Sequence, residues 1–432
     1  MVTKMTELDK SRKKIEEIDK KMATLFEERM AEAKKIALYK KENNLPIENK
    51  SREDELIKKN SSYVDSELKD YYISFLKNEI ELSKSYQKSL NSNLNVTCID
   101  APQSYDVVIK RGSISHINDY FNIDRKVLVI SDDNIPKKYI DMVLSQLKDG
   151  YLFTFKEGEE SKNIDTYKQI EKTLLDNNFK RRDAIIALGG GVTGDLAAFS
   201  ASTYMRGIDF YNIPSSLLSM VDSSIGGKTG IDYEGVKNII GTFYQPKGVL
   251  IDADLLYTLD KREFYSGLVE AIKMAATFDS SLFSLIENST DIMSDIDEII
   301  VRSLEIKRMV VSKDTKEASL RSVLNFGHTI GHAIEALSNG LYKHGEAVAL
   351  GMMYCSSGDA RKRIKNVLEK YNLKTLSPYK AQDLMPYIIH DKKGINDEIK
   401  VIRVDEIGSY KISLMSYSEV EKLLWVMYLD II

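Results

Sequence analysis

At 432 residues, with 43% apolar and 29% charged side chains, the chain is long enough to bury two or three separate cores. A net charge near −4 supplies no basic excess for neutralising many phosphates, which argues against a general nucleic-acid surface. The N-terminus MVTKMTELDKSRKK has no apolar stretch of signal-peptide type, and no apolar run approaches membrane-spanning length; Cys98 and Cys355 make no disulfide or metal framework, so a reducing cytoplasm is expected.

All 23 glycines lie at or beyond Gly112, and Pro46 is the one proline ahead of the polar stretch NSNLN at 91–95. The asymmetry predicts a long-helical N-terminal domain over 1–92 and a glycine-punctuated α/β region after it. Ile15, Ile18, Met22, Leu25, Ala33 and Ile36 recur at helical spacing, with no breaker until NNLP at 43–46. A helix from about Thr6 to Asn43 would span roughly 57 Å. That is more than a small domain can cover alone, so the helix is expected to pair with another chain. A second helix is expected from Ser51, where Ser51 and Asp54 form a weak capping box, and a third from about Ser66 to Leu90.

Cations interrupt the first helix's apolar stripe: Arg12 precedes Ile15, Arg29 follows Leu25, and Lys40 follows Ile36. A buried cation is costly unless paired, so these imply a bound anion or acidic partners; ion pairs with glutamates or outward snorkelling would serve equally. The segment LDKSRKKIEEIDKKMATLFEERMAEAKKIALYKKENNLPIENKSREDEL, with IELSKSYQKSL, resembles the all-helical chorismate mutases. The resemblance implies an intertwined three-helix dimer that rearranges chorismate to prephenate. Its active-site set maps to Arg12, Arg29, Lys40, Arg52, Glu53, Ser83 and Gln87, with Arg12 serving the partner's pocket. Lys40 and Gln87 would face the substrate's ether oxygen, Gln87 aided by Glu53. Asn49 departs from the aspartate some relatives carry near the substrate hydroxyl.

From Lys126 the pattern becomes strand, turn, helix: KVLVISDD, NIPKKYIDMVLSQL, YLFTF, then DAIIAL, GGGVTGD and LAAFSASTY. Gly189, Gly191 and Gly194 satisfy G-x-G-x-x-G between a strand and a helix, where backbone N–H groups can cradle a pyrophosphate. Asp209 precedes its strand instead of ending it, which leaves Asp132 as the alternative ribose ligand. A ligand-free glycine turn is the plainer reading. Next, MVDSSIGGKTGIDYEGVKNIIGTFYQP presents Lys228 and Lys237 from glycine-rich loops suited to phosphate or carboxylate oxygens. In GLVEAIKMAA, Glu270 and Lys273 lie three apart on one helix face, as an intrahelical ion pair or as a metal ligand beside an anion anchor.

Three of five histidines then cluster in LNFGHTIGHAIEALSNGLYKHGEAV. Neutral imidazole is a common zinc ligand and a proton carrier near neutral pH. Spacing alone nominates His328 and His332, one helical turn apart, as a metal pair, with His344 after them.

GEESK, GGGVTGD, PSSLLSMVDSSIGGKTGID, GLVEAIK, LNFGHTIGHAIE, HGEAV and HDKK run in one order across 96–432, and this segment resembles 3-dehydroquinate synthase. The resemblance implies an α/β NAD-binding, Rossmann-like half over 96–254, an all-α metal- and substrate-binding half over 255–432, and an active site between them. It moves the metal set to Glu270, His328 and His344, binding zinc or another divalent cation such as cobalt. NAD contacts map to Asp132, Asn134, Glu159, Lys162, Gly191, Gly194, Asp195, Ser215, Ser216, Lys228, Lys237 and Thr258. Substrate contacts map to Asp222, Lys228, Lys237, Asn238, Lys273, Lys307, Arg321, Asn325, His332 and His344, with Arg206 reaching across a dimer interface and Lys392 or Lys393 joining them. Lys228, Glu317 and His332 would order the site and move protons.

The implied reaction converts 3-deoxy-D-arabino-heptulosonate 7-phosphate to 3-dehydroquinate and phosphate, with NAD regenerated each turnover. The whole is expected to be a bifunctional cytoplasmic enzyme of aromatic amino-acid biosynthesis, a homodimer or larger homo-oligomer with no nucleic-acid or membrane partner. The competing readings are a related sugar-phosphate cyclase, a metal-dependent polyol dehydrogenase, or a synthase whose helical domain only assembles or regulates.

Overall fold

The computed structural model describes residues 7–42, 50–91, 94–100, 103–313, 320–391 and 398–429. The chain divides into two units, Met1–Asn93 and Leu94–Ile432. In the first, α1 (Glu7–Glu42) lies against α3 (Lys69–Asn91), with α2 (Lys50–Asn60) between them in sequence. The buried apolar residues of α1 and α3 are Ala33, Ala37, Leu76 and Ile80. Most of the apolar stripe on α1 stays uncovered in the single chain: Ile15, Ile18, Met22, Leu25 and Ile36 are each about half exposed or more. α2 begins at Lys50, one residue ahead of the expected Ser51 start, and a 3₁₀ turn at Ser66–Leu68 precedes α3.

The second unit opens with β1 (Leu94–Asp100), β2 (Gln103–Ile109) and β3 (Lys126–Asp132), then α4 (Lys137–Leu144), β4 (Asp149–Phe155) and α5 (Ile164–Asp176). It continues through β5 (Ala184–Gly189), α6 (Gly191–Thr203), β6 (Asp209–Pro214), the hairpin β7 (Lys228–Tyr233) and β8 (Val236–Phe243), and β9 (Gly248–Ile251). Seven strands form one sheet in the order β1-β2-β9-β6-β5-β3-β4, parallel except for the β1–β2 pair. β3 has β4 on one side and β5 on the other, so the chain reverses direction there, and ligands of such sheets sit at the carboxyl ends of strands at that point.

The strands read as unbroken apolar runs because both faces are covered. Val127 and Val129 point to one core while Leu128 and Ile130 point to the other, as period-two alternation requires. The first of these cores runs on without a break into the helices that follow, reaching Leu268, Val269 and Ile272. The two halves of the unit therefore share one core.

Those helices are α7 (Lys261–Phe278), α8 (Ser280–Asn288), α9 (Ile292–Lys313), α10 (His328–Leu337), α11 (His344–Cys355), α12 (Gly358–Lys370) and α13 (Ala381–Asp391). A two-stranded hairpin, β10 (Glu398–Arg403) with β11 (Lys411–Ser416), precedes α14 (Tyr417–Leu429) and is an addition to the helical half. Among the described residues no helix is long and apolar enough to cross a membrane.

Candidate active site

The glycine turn lies at the sheet's reversal point. β5 ends at Gly189 and α6 starts at Gly191, while β3 ends level with them at Asp132. Thr193 Oγ1 donates to Asp132 Oδ2 at 2.9 Å, and the Asn134 amide donates to Asp132 Oδ1 at 3.2 Å, fixing the carboxylate at the crevice. Burial pushes the Asp132 carboxyl up. No side chain caps α6, so its first N–H groups keep their donor capacity. Around the turn stand Ser215, whose amide donates to Gly189 O at 2.9 Å, and Ser216, whose Oγ would lie 3.4 Å from a Cβ at Gly190. Gly194 packs against Asn212 inside α6.

Beside the turn, Lys162 is buried and pairs with Asp195 Oδ2 at 2.6 Å and Glu159 Oε1 at 3.7 Å, and its Nζ also donates to Asn238 Oδ1. Burial disfavours the Lys162 charge, but the two carboxylates outweigh it and its pKa goes up. Thr258 donates its hydroxyl to Leu255 O at 3.1 Å, at the end of the turn leading into the helical half. Arg206 is exposed and holds a positive φ of 64°.

Across the shared core, α7 runs through the interior because its apolar residues face neighbours on all sides. Glu270 is 0% and Lys273 2% exposed, and the two are ion-paired. Oε2 of Glu270 is the oxygen paired with Lys273, and Oε1 has no hydrogen bond among the described residues. Oε1 faces two imidazoles, His328 Nε2 at 3.8 Å and His344 Nε2 at 3.7 Å. The ligand atoms of His328, His332 and His344 all lie within 4.8 Å of one another.

Backbone constraints set these rings. Gly327 carries φ 79° just before α10, and a Cβ there would meet Val348 O at 2.8 Å, so glycine is needed to start the helix against α11. Gly345 is tighter still, since its Cβ would lie 1.9 Å from Ser266 O. His344 is the first residue of α11, whose start is tied down by Glu346. That carboxylate accepts from the Lys343 amide at 2.9 Å and from Arg262 Nε and Nη2 at 2.6 and 2.7 Å.

The Nδ1 of His328 lies 3.3 Å from Phe326 O, which can only accept, so Nδ1 carries the hydrogen and Nε2 keeps its lone pair. Burial, aided by Lys273, holds His328 well below the ordinary imidazole pKa and hence neutral. The Nδ1 of His344 donates to Glu335 Oε2 at 2.9 Å, again leaving Nε2 toward Glu270. Burial alone would raise the Glu335 pKa, but His344 and Lys237 bring it down to about 2.

A cation cluster adjoins this site. Asp222 sits on a π-helical turn, Ser219–Ser223, and Lys307 Nζ lies 2.8 Å from its Oδ1. Burial works against the Asp222 charge, yet Lys307 and Lys273 hold its carboxyl far below the usual range. Arg321 is buried beside Asn325 on the 3₁₀ turn Leu320–Asn325, and a Cβ at Gly226 would lie 3.2 Å from its Nη2. Lys228 starts β7 and is exposed, while Lys237 reaches Glu335 Oε1 at 2.7 Å. Glu317, Lys392 and Lys393 lie outside the described residues.

In the helical unit, Arg29 Nε pairs with Glu79 Oε1 at 2.9 Å, Lys84 with Glu53 Oε2 at 3.2 Å, and Arg52 with Glu55 at 3.4 Å. Ser83 is buried, Lys40 half-buried and Arg12 exposed; the Gln87 side chain lies outside what is described. Glu79 and Glu335 escaped the sequence reading, although Glu335 lies two helical turns beyond His328 in the same motif.

A parallel sheet with a glycine turn at its reversal point, joined to a helical half, is a fold shared with solved structures of low sequence identity. A 2-deoxy-scyllo-inosose synthase solved with carbaglucose-6-phosphate, NAD⁺ and Co²⁺ superposes with a TM-score of 0.70 at 23% identity, covering 77% of this chain and 99% of that one. A 2-epi-5-epi-valiolone synthase from Streptomyces hygroscopicus subsp. jinggangensis, solved with NAD⁺ and Zn²⁺, gives 0.69 at 22%, covering 78% and 100%.

Residues 152–266 match the family model for 3-dehydroquinate synthase N-terminal, 267–394 that for 3-dehydroquinate synthase C-terminal, and 11–88 that for chorismate mutase type II. The 3-dehydroquinate synthase of Lactococcus lactis subsp. cremoris is 44% identical over 354 residues, and that of Streptococcus mutans 41% over 353, each covering 77% of this chain and 99% of the relative. The chain belongs to the 3-dehydroquinate synthase family, with a chorismate mutase type II region fused ahead of it.

Proposed function

We propose that residues 96–432 convert 3-deoxy-D-arabino-heptulosonate 7-phosphate to 3-dehydroquinate and phosphate, and that the helical unit rearranges chorismate to prephenate. The observation that carries the first activity is the buried Glu270, whose Oε2 is ion-paired with Lys273 while its Oε1 has no hydrogen bond among the described residues and faces the Nε2 atoms of His328 and His344. A buried carboxylate in that state fits a divalent cation held by Glu270, His328 and His344, a donor set that leaves a coordination position open. Bound there, zinc or cobalt would act as a Lewis acid on substrate hydroxyls.

The uncapped N-terminus of α6 with Asp132 fits the pyrophosphate and ribose of NAD, which when bound supplies a hydride acceptor that is restored in each turnover. Asp132, Asn134, Glu159, Lys162, Asp195, Ser215, Ser216, Lys237 and Thr258 would frame it. Lys273, Lys307 and Arg321 hold positive charge in a buried setting, where charge-assisted bonds to a carboxylate and a phosphate are strong. Arg206, Asp222, Lys228, Asn238 and Asn325 would complete the substrate's contacts. His332, beside the two ligand histidines, would carry the proton taken from the substrate carbon and return it to the leaving phosphate.

Identity of 41–44% to synthases, against 22–23% to the inosose and valiolone cyclases, favours the heptulosonate phosphate as substrate. The enzyme would work in the cytoplasm as a homodimer or larger assembly, since the uncovered stripe on α1 needs a second copy. The mutase pocket would draw on Arg29, Lys40, Arg52, Glu53, Ser83 and Gln87, with Arg12 supplied by the partner. A purely regulatory helical unit gains support from the Arg29–Glu79 ion pair, which occupies the guanidinium within one chain.

Incubating purified protein with the heptulosonate phosphate, NAD and zinc should release phosphate and dehydroquinate with no net NADH at 340 nm. Steady NADH accumulation would instead indicate a dehydrogenase. Chorismate loss unchanged by Arg29→Ala and Lys40→Ala would sink the mutase assignment.

A further inference from the structure

Adjacent residues of the β7–β8 hairpin reach into two different sites. Its two-residue turn has positive φ at both Glu234 and Gly235, the I′ geometry that matches strand twist, and Asn238 takes φ 53° two residues further on. From that backbone Asn238 accepts a hydrogen bond from Lys162, which is itself ion-paired with Asp195 beside the glycine turn. Lys237 instead ion-pairs with Glu335 on α10 at 2.7 Å, and Glu335 holds His344 on α11 at 2.9 Å. A continuous polar chain thus runs from the glycine-turn site through the hairpin to the imidazole facing Glu270.

We propose that Glu335 is a positioning residue that fixes the ring and tautomer of His344, and that Lys237 holds Glu335, so the hairpin and the metal site order one another. The proposal rests on the metal reading above. A carboxylate can only accept, so a hydrogen of His344 sits on Nδ1, and Nε2 is the ring atom turned toward Glu270 Oε1 at 3.7 Å, the one placed to ligate a cation. Without Glu335, His344 can rotate or protonate Nε2, and the site loses one preset ligand. Without Lys237, Glu335 loses the cation on its second oxygen but keeps His344. Lys237 is more than half exposed, so its share is that of a surface ion pair.

Zinc affinity is measured on the full-length protein by competition with a chromophoric chelator, and Co²⁺-loaded protein is examined by visible absorption. Glu335→Ala should weaken zinc about 10- to 100-fold and alter the cobalt spectrum. Glu335→Gln, whose amide oxygen can still accept from Nδ1–H, should restore part of both. Lys237→Met should weaken zinc about two- to five-fold. His344→Ala separates the two failures: if it keeps wild-type zinc affinity, the metal reading itself is wrong. If His344→Ala loses zinc while Glu335→Ala matches wild type, the positioning role is overturned. Should Glu335→Ala not fold, wild-type affinities and spectra in both Glu335→Gln and Lys237→Met overturn it equally.

Discussion

Adding zinc should stabilise the second unit by an amount the structure allows to be worked out. Glu270 is fully buried and its Oε1, turned toward His328 and His344, has no hydrogen bond among the described residues, so a cation there meets a preformed acceptor. A ligand present at about 1,000 times its Kd that binds only the folded state stabilises it by about 4 kcal/mol. Unfolding entropy near 60 °C is about 2.1 cal/mol/K per residue, and Leu94–Ile432 is about 340 residues, so the slope is about 0.7 kcal/mol per degree. The Tm measured by calorimetry should therefore rise by about 6 °C on zinc addition and fall back with a chelator. His344→Ala, which removes a part-exposed ring from the site, should retain little of that rise. An equal rise in His344→Ala, or none in the wild type, would refute the assignment of the metal to this cluster.

Glu171 on α5 has a buried oxygen with no hydrogen bond among the described residues, and burial pushes its carboxyl up to about 7. The folded state then holds a proton that the unfolded chain releases near 4.5, so stability is highest at acid pH and declines as pH rises from about 4.5 to 7. Glu171→Gln should stabilise by about 1–3 kcal/mol at pH 8 and by almost nothing at pH 4, read from urea unfolding at the two pH values. Leu25→Glu places a charge in the uncovered stripe of α1, where Leu25 is 62% exposed. Light scattering should show it shifting the chain toward smaller assemblies, and an unchanged mass would mean that α1 does not pair. Gly345→Ala forces a methyl group against Ser266 O and should cost about 1–3 kcal/mol of stability and weaken zinc binding, whereas a silent substitution would contradict the close approach of α7 and α11.

Much of this architecture was legible because local chemistry and fold agree. The glycine turn between DAIIAL and LAAFSASTY reads as strand-turn-helix in both sequence and structure, and Asp132 ends its strand as expected. The apolar spacing of α1 predicts a helix, and the helix is there, with most of its apolar stripe uncovered in the single chain. Periodicity fails where a site is assembled from distant segments. Helical spacing nominates His328 and His332 as the metal pair, but nothing local in the sequence joins them to Glu270, which comes within reach of His328 only because α7 packs on α11 and α11 on α10. Resemblance supplied Glu270, and the geometry sets it opposite His328 and His344. Glu335 was in view within GHAIE, but a carboxylate's role toward His344 depends on a ring orientation that no spacing rule encodes. The shared core was equally hidden, because strands and helices that bury all their faces look alike whether they form one core or two.

Two independent chemical sites on one chain should be separable by mutation. Dehydroquinate formation and chorismate loss are measured side by side in the wild type, His344→Ala and Arg29→Ala, with zinc and NAD present. His344→Ala should lose dehydroquinate formation and keep chorismate loss, while Arg29→Ala should do the reverse. Wild-type rates of dehydroquinate formation in His344→Ala, or of chorismate loss in Arg29→Ala, would contradict that separation.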